Sequence, residues 1–233
     1  AEPPAEQTRR IRALADAGAT TAAEALAAAL AAVGVSTGTV GLDEGLLSPQ
    51  AWPRLAARLE PLKAVPGADA FLDARRVKGP WEIESLQRAL GIAEEAANAV
   101  VQMLGPGVTE REAVRLFQQE TLTRDGAAYG TIVAFGERAA IPAPAPTDRA
   151  LRPGDLVRLD LCCAHRGYCA EVARTAVMGE PTPRQQQAAD ALVAGVDATI
   201  ERVKPGVSAA EIYETAVGAV RRAGLADFQR YHV

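Results

Sequence analysis

The stretch of sequence that decides the fold runs from residue 152 to residue 179, RPGDLVRLDLCCAHRGYCAEVARTAVMG. It predicts a β-hairpin with arms at 156–163 and 168–178, because both arms are rich in the Val, Leu, Tyr and Cys residues that favour strands. The intervening His-Arg-Gly sequence at 165–167 supplies the turn chemistry. This predicts two adjacent antiparallel strands.

Each arm carries one carboxylate, Asp160 on the first and Glu171 on the second. If the turn centres between His165 and Arg166, Asp160 lies directly opposite Glu171. Like charges that face each other across two strands are destabilising. A bound cation would remove this repulsion, and hard divalent metals favour oxygen ligands. The hairpin therefore predicts half of a metal site, with Asp160 and Glu171 as its ligands.

Composition narrows the class of protein. The chain has 233 residues, of which 48% are hydrophobic and 23% charged, as in globular proteins. A net charge of −4 favours neither nucleic acid nor a membrane surface as a partner. The longest apolar run, at 25–33, is too short for a membrane span of about 20 residues. Without a visible targeting segment we expect a cytoplasmic protein, and the ends of the sequence suggest a fragment.

The three cysteines, Cys162, Cys163 and Cys169, all lie in the predicted hairpin. No CxxC pair or distant partner accompanies them, which argues against a disulfide framework or a zinc knuckle. We expect plain buried strand cysteines, because a free cysteine behaves as a small hydrophobic residue.

Residues 1–75 form a first block with a βα pattern. Thr21 and Glu24 form a capping box that predicts a helix ending near Gly34, and GTVGLD at 38–43 predicts a strand. Ser48-Pro49 predicts a second helix, with serine at the N-cap and proline in the first helical position. This order favours a small α/β domain with a parallel or mixed sheet.

Residues 76–233 form a second block that contains an internal sequence repeat. A long helix is predicted from Trp81 to about Leu104. The sequence PGVTERE at 106–112 then resembles PGVSAAE at 205–211, and each is a turn into a capping box that opens a helix ending near a glycine. The repetition predicts a duplicated αα-then-strand half-domain, with a site on the pseudo-twofold axis.

Three local motifs in this block resemble the pita-bread metallopeptidases, which include prolidase, aminopeptidase P, methionine aminopeptidase and creatinase. They are the junction RRVKGPWEIESLQRAL at 75–90, the segments at 132–136 and 146–149, and the hairpin. The Arg-x-Val-Lys junction favours the prolidase and aminopeptidase P branch. The resemblance implies an α+β pita-bread fold at 76–233, preceded by part of a creatinase/prolidase-type N-terminal domain at 1–75.

The resemblance also implies a reaction. The family's dinuclear site uses two Asp, one His and two Glu, and a metal-bridged hydroxide attacks a peptide bond next to proline. Asp160 matches the first Asp, and Glu171 falls on the second, where its extra methylene would overshoot by roughly 1.5 Å. The implied cofactor is two Mn, Co or Zn ions, the substrate a small peptide, and the assembly a homodimer.

The chain departs from the family in other places. Ala143 stands where the family has a substrate-facing His, and such a donor commonly contributes about 10²- to 10³-fold in rate. The remaining His and Glu ligands would lie beyond Val233. His232 lies just before the expected histidine-glycine segment and matches a substrate-binding His.

Two further functions remain open. The first is a catalytically inactive pita-bread homologue that holds no metal and acts as a binding or assembly module. Arg158 shares the face of Asp160 by alternation, whereas Arg174 faces the other side, so Arg158 could neutralise the carboxylates without metal. The second is creatinase-like, metal-free hydrolysis, against which Ala143 argues. The turn position of His165 predicts a solvated side chain.

Overall fold

The computed structural model describes residues 21–230. The chain divides into two compact units, the first ending at Gly79 and the second beginning at Pro80, and each is described by itself. That they correspond to a partial N-terminal domain and a partial catalytic domain, divided at 75/76, stays a prediction. Within the described residues, no helix is both long and apolar enough to cross a membrane.

The first unit has the predicted βα order. Its elements are α1 (Ala22–Ala32), β1 (Gly38–Leu42), a short 3-10 helix (Glu44–Leu46), α2 (Ala51–Arg58), β2 (Leu62–Pro66) and α3 (Ala68–Arg76). β1 and β2 pair in parallel, from Gly38 opposite Leu62 to Leu42 opposite Pro66. The capping box of α1 is confirmed, because the Glu24 amide donates to Thr21 Oγ1 over 3.2 Å.

The predicted start of the second helix is wrong. α2 begins at Ala51, with Gln50 rather than Ser48 in the N-cap position. The Ala51 amide donates to the Ser48 carbonyl over 2.9 Å and lies 3.2 Å from Ser48 Oγ. Serine and proline therefore belong to a turn that precedes the helix.

The described part of the second unit contains four α-helices and a three-stranded antiparallel sheet. Its elements are α4 (Pro80–Met103), α5 (Glu110–Leu122), β3 (Ala127–Phe135), a 3-10 helix (Gly136–Ala140), β4 (Leu156–His165), β5 (Tyr168–Val177), α6 (Pro183–Arg202) and α7 (Ala209–Arg222). The strand order is β3-β4-β5. α4 confirms the predicted long helix to within one residue at each end.

The core of this unit lies between α4, α5 and one face of the sheet. Phe117 of α5 and Phe135 of β3 are fully buried there, and burial of such a side chain contributes about 2–3 kcal/mol. Alternate residues of the central strand, Leu159, Leu161 and Cys163, point into the same core. The opposite face of β4, which carries Asp160 and Cys162, is therefore turned away from the helices.

The two capping boxes of the internal sequence repeat are confirmed. Thr109 and Glu112 form one at the start of α5, and Ser208 and Glu211 form the other at the start of α7. Each is preceded by a glycine in the left-handed region, Gly107 with φ 93° and Gly206 with φ 87°. The helices that follow have 13 and 14 residues. The two turns and the helices that they open thus repeat in backbone geometry as well as in sequence, while the duplication of whole half-domains stays a prediction.

Candidate metal centre

The hairpin turn consists of Arg166 and Gly167, and the predicted register is wrong. Both residues have positive φ, 51° and 82°, as a two-residue type I′ turn requires. β4 consequently extends to His165, which pairs with Tyr168. The turn centres one position later than predicted because glycine occupies its second residue. His165 is then a partly buried strand residue with Nδ1 2.9 Å from the Asp125 carbonyl, contrary to the predicted solvated turn residue.

This register separates the two carboxylates along the ladder. Asp160 pairs with Ala173, and Glu171 pairs with Cys162. Since side chains alternate with period two, all four lie on one face of the sheet. Asp160 and Glu171 are therefore diagonal neighbours, with Cys162 beside Glu171 and two residues from Asp160.

Donor atoms of Asp160, Cys162 and Glu171, which we call the hairpin triad, all lie within 4.8 Å of one another. Among residues 21–230, no other group of three or more His, Cys, Asp or Glu side chains has its donor atoms this close together. Cys162 is buried, Asp160 is 26% exposed and Glu171 is exposed. Solvent therefore reaches both carboxylates, whereas Cys162 is only 8% exposed.

The sequence-based expectation for the cysteines holds for two of the three. Cys162 and Cys163 are buried, but Cys169 is exposed, because strand alternation places it on the outward face with Glu171. Burial, followed by the charges of Glu171 and Asp160, raises the pKa of Cys162 to about 11. In the absence of a cation, the Cys162 thiol is accordingly protonated.

Tyr129 extends this row of side chains onto β3. It pairs with Cys162, while Ile132 pairs with Asp160 across a β-bulge that contains Gly130. Hydrogen bonding with Cys169, then burial and the nearby Cys162 and Glu171, raise the pKa of Tyr129 to about 12. A neutral phenol therefore borders the hairpin triad, a neighbour that strand periodicity alone did not indicate because the bulge shifts the register.

A positive charge lies beside Asp160, that of the Arg158 guanidinium. Its Nη2 lies 3.6 Å from Asp160 Oδ2, and it also donates to the carbonyls of Ile141, over 2.8 Å, and Pro142. Arg174 faces the other side of the sheet, 3.7 Å from Glu94 of α4. The predicted alternation is confirmed for both arginines, and Arg158 ties the Pro-rich loop at 141–148 to the strand that carries Asp160.

Glu110 anchors the far end of the same loop. Its side chain is fully buried and accepts hydrogen bonds from the Thr147 amide and hydroxyl, over 2.8 and 2.7 Å, and from the Phe135 amide, over 3.1 Å. Arg138 Nε lies 3.0 Å from Glu110 Oε1. Burial alone would raise the pKa of Glu110, but hydrogen bonds from Thr147, Phe135 and Arg138 outweigh it and lower the pKa.

The hairpin triad fits a divalent cation in its chemistry. Two carboxylates and a thiol are donors found in divalent metal sites, and three protein ligands are the usual number at a catalytic zinc. Arg158 competes with a cation for Asp160, but at 3.6 Å it makes no close hydrogen bond to it. Ala143 is exposed in the loop and contributes only a methyl group. His232 lies outside the described residues.

The Arg158–Asp160 contact yields a prediction for metal affinity. We expect Arg158→Gln to tighten divalent metal binding about fivefold, because a guanidinium this close repels a cation by roughly 1 kcal/mol in a solvent-screened site. Isothermal titration of the full-length protein with zinc measures the change. Arg174→Gln is the matched control, since it removes the same charge from the opposite face and should leave the affinity unchanged. Equal or weaker binding by Arg158→Gln would contradict the prediction.

The sheet carries helices on one face and clustered metal donors on the other, as expected of a metal-dependent enzyme. Comparison with known proteins supports that class: residues 84–233 match metallopeptidase family M24, so the chain belongs to this family. A divalent metal is the cofactor of such a family. The relatives and solved structures that the chain resembles also carry the names of peptidases.

The Xaa-Pro dipeptidase of Pyrococcus furiosus is 30% identical over 163 residues, which cover 69% of this chain and 47% of that protein. The prolidase structure from the same organism superposes with a TM-score of 0.73 at 25% identity, covering 85% of this chain and 59% of that chain. An X-Pro aminopeptidase structure from Thermotoga maritima has a TM-score of 0.79 at 24% identity, covering 91% and 60%, and supports the fold. The predicted pita-bread fold is confirmed. The chain spans about half the length of the curated relatives it matches.

Proposed function

We propose that the protein is a metal-dependent hydrolase of the Xaa-Pro dipeptidase and aminopeptidase P type, cleaving small peptides at a bond next to proline. The convergence of the hairpin triad within 4.8 Å, on the sheet face opposite the helices, carries this proposal. Membership of a metallopeptidase family supports the reaction class. The names of its relatives support the proline specificity.

The residues of this chain have distinct roles in the proposed reaction. Asp160 and Glu171 would hold the metal from one side, and a metal bound there would lower the pKa of water and polarise the scissile carbonyl. Arg158 and Glu110 fix the two ends of the 141–148 loop next to the strand that carries Asp160. That loop then forms a stiff wall for the substrate, because its three prolines restrict the backbone. His232 contributes a substrate contact.

Metal identity, assembly and location complete the proposal. Two ions of Mn, Co or Zn occupy the site, two chains form a homodimer, and the enzyme acts on small peptides in the cytoplasm. The acidic net charge of −4 is compatible with a protein that binds neither nucleic acid nor membranes.

Metal analysis of the full-length protein together with a dipeptide assay tests the proposal. We expect about two equivalents of divalent metal per chain, as in two-metal hydrolases, and cleavage of Xaa-Pro dipeptides. Dipeptides with the proline replaced by alanine are the control and should be cleaved more slowly. A folded protein that holds no metal and cleaves no dipeptide, even with added Mn, would contradict the proposal.

Two observations favour a second function, that of a non-catalytic homologue which serves as a binding or assembly module. Arg158 lies 3.6 Å from Asp160 and places a positive charge beside the carboxylate that the metal would need. Ala143 also provides no hydrogen-bond donor. Sites can erode while folds persist. A folded, metal-free and inactive full-length protein is the result that this second function requires.

A further inference from the structure

Cys162 is the member of the hairpin triad that a purely carboxylate site does not explain. We propose that Cys162 is a direct metal ligand, so that the site takes its cation through sulfur as well as oxygen and selects zinc or cobalt over manganese. This inference rests on the proposed function, because it assumes that the metal of the peptidase binds at this hairpin.

The strand register places Cys162 where such a ligand is needed. It pairs directly with Glu171 and lies two residues from Asp160 on the same face of β4. Its donor lies within 4.8 Å of both carboxylates. Ligands at 2.0–2.3 Å from a tetrahedral zinc are roughly 3.5 Å apart, so the three side chains need to close by roughly 1 Å. Side-chain torsions can supply that movement without a change in the backbone.

The other two cysteines do not share this position. Cys163 points into the core, where its sulfur lies only 2.8 Å from the position that a Cβ at Gly126 would take. Cys169 lies on the outward face but hydrogen bonds with Tyr129 and belongs to no donor group of three within residues 21–230. Gly130 approaches Cys162 from β3, and a Cβ there would lie 3.6 Å from the sulfur. Because glycine has no side chain, the bulge of β3 places no Cβ against this side of the Cys162 sulfur.

The chemistry of a thiolate determines which metal it favours. When Cys162 binds, its S–H bond breaks, the proton passes to solvent and the sulfur donates an electron pair to the cation. Thiolates favour zinc and other borderline or soft cations, whereas carboxylates and water suit manganese and magnesium. Asp160, Glu171 and the thiolate together carry three negative charges, which a divalent cation and the neighbouring Arg158 guanidinium balance.

Cobalt binding to the full-length protein tests the sulfur ligand without reference to activity. We expect Co²⁺ titration to produce a near-ultraviolet sulfur-to-cobalt charge-transfer band that saturates with the bound metal. X-ray absorption of the zinc-loaded protein should show a sulfur neighbour at about 2.3 Å. In Cys162→Ser both signals should disappear, and the ratio of zinc to manganese affinity should fall roughly 10- to 100-fold, the range for lost metal-site partners.

Cys169→Ser is the matched control, because it removes a thiol from the same face seven positions further along the chain and should retain both signals. Cobalt bound without a charge-transfer band, or a band that persists in Cys162→Ser, would overturn the sulfur ligand and leave the peptidase proposal standing. Failure of the wild-type protein to bind cobalt, zinc or manganese would overturn both proposals, whereas binding of manganese alone would overturn only the sulfur ligand. Should Cys162→Ser fail to fold, retention of both signals in Cys169→Ser identifies Cys162 as the ligand, because Cys163 faces the core.

Discussion

Replacement of Asp160 by asparagine is expected to weaken divalent metal binding at least about 100-fold and to abolish the proposed Xaa-Pro cleavage with it. Asparagine keeps the shape of the side chain but removes its charge, so a metal that depends on this carboxylate loses a principal ligand. Loss of residues that only support a metal ligand costs 10- to 100-fold, and a direct ligand should cost at least as much. Isothermal titration with zinc, cobalt and manganese measures the loss.

Asp148→Asn is the matched control for this experiment. Asp148 belongs to the same unit and also pairs with an arginine, Arg111, at 3.2 Å, but its side chain is 80% exposed and it lies outside the hairpin triad. Its replacement removes one negative charge and should leave metal affinity unchanged. If Asp160→Asn binds metal as tightly as Asp148→Asn does, the metal does not depend on Asp160.

Glu110→Ala is expected to lower the free energy of unfolding of the full-length protein by about 3–5 kcal/mol. The substitution leaves buried donors from Phe135 and Thr147 without their acceptor and deprives Arg138 of its ion pair. Urea denaturation measures the change. Glu137→Ala is the control, because Glu137 also pairs with an arginine but its side chain is 76% exposed, and exposed pairs contribute only up to about 1 kcal/mol. A similar loss in both variants would contradict the special role of Glu110.

The pH dependence of the free energy of unfolding gives a second test of Glu110. Its pKa is lowered from 4.5 in the folded protein, so its stabilising contribution is complete above that value and is lost as the pH falls through the folded pKa. The stability difference between wild type and Glu110→Gln should therefore be largest near neutral pH and shrink below about pH 4.5. A difference that stays constant down to low pH would mean that folding does not change the pKa of Glu110, and would contradict the prediction.

The fold was predictable where local pattern and tertiary structure agree. The alternation of polar and apolar residues on β4 correctly placed Arg158 with Asp160 and put Arg174 on the other face. Capping boxes at Thr109 and Ser208 located the starts of α5 and α7. These signals are readable because each depends on residues within one turn of helix or one strand.

Other parts of the site were not predictable from local pattern. Glu110 looks like an ordinary first-turn acid in a capping-box sequence, because its partners Arg138 and Thr147 lie 28 and 37 residues away. Cys162 resembles its buried neighbour Cys163, and only the register distinguishes the sulfur that faces the carboxylates from the one that faces the core. Gly167 did carry a signal: glycine is favoured in the second position of a two-residue turn, which would have given the correct register.

The diagonal arrangement of Asp160 and Glu171 changes the meaning of side-chain length at position 171. Residues directly opposite on two strands have Cβ atoms about 5 Å apart, whereas diagonal neighbours are about 7–8 Å apart. In a directly opposed pair, the extra methylene of glutamate would make the side chain too long. Across the longer diagonal separation, the same methylene brings the carboxylate closer to Asp160. The longer acid at position 171 is therefore suited to meeting Asp160 over a shared ion, and the two-residue turn that sets their offset also sets which acid spans the gap.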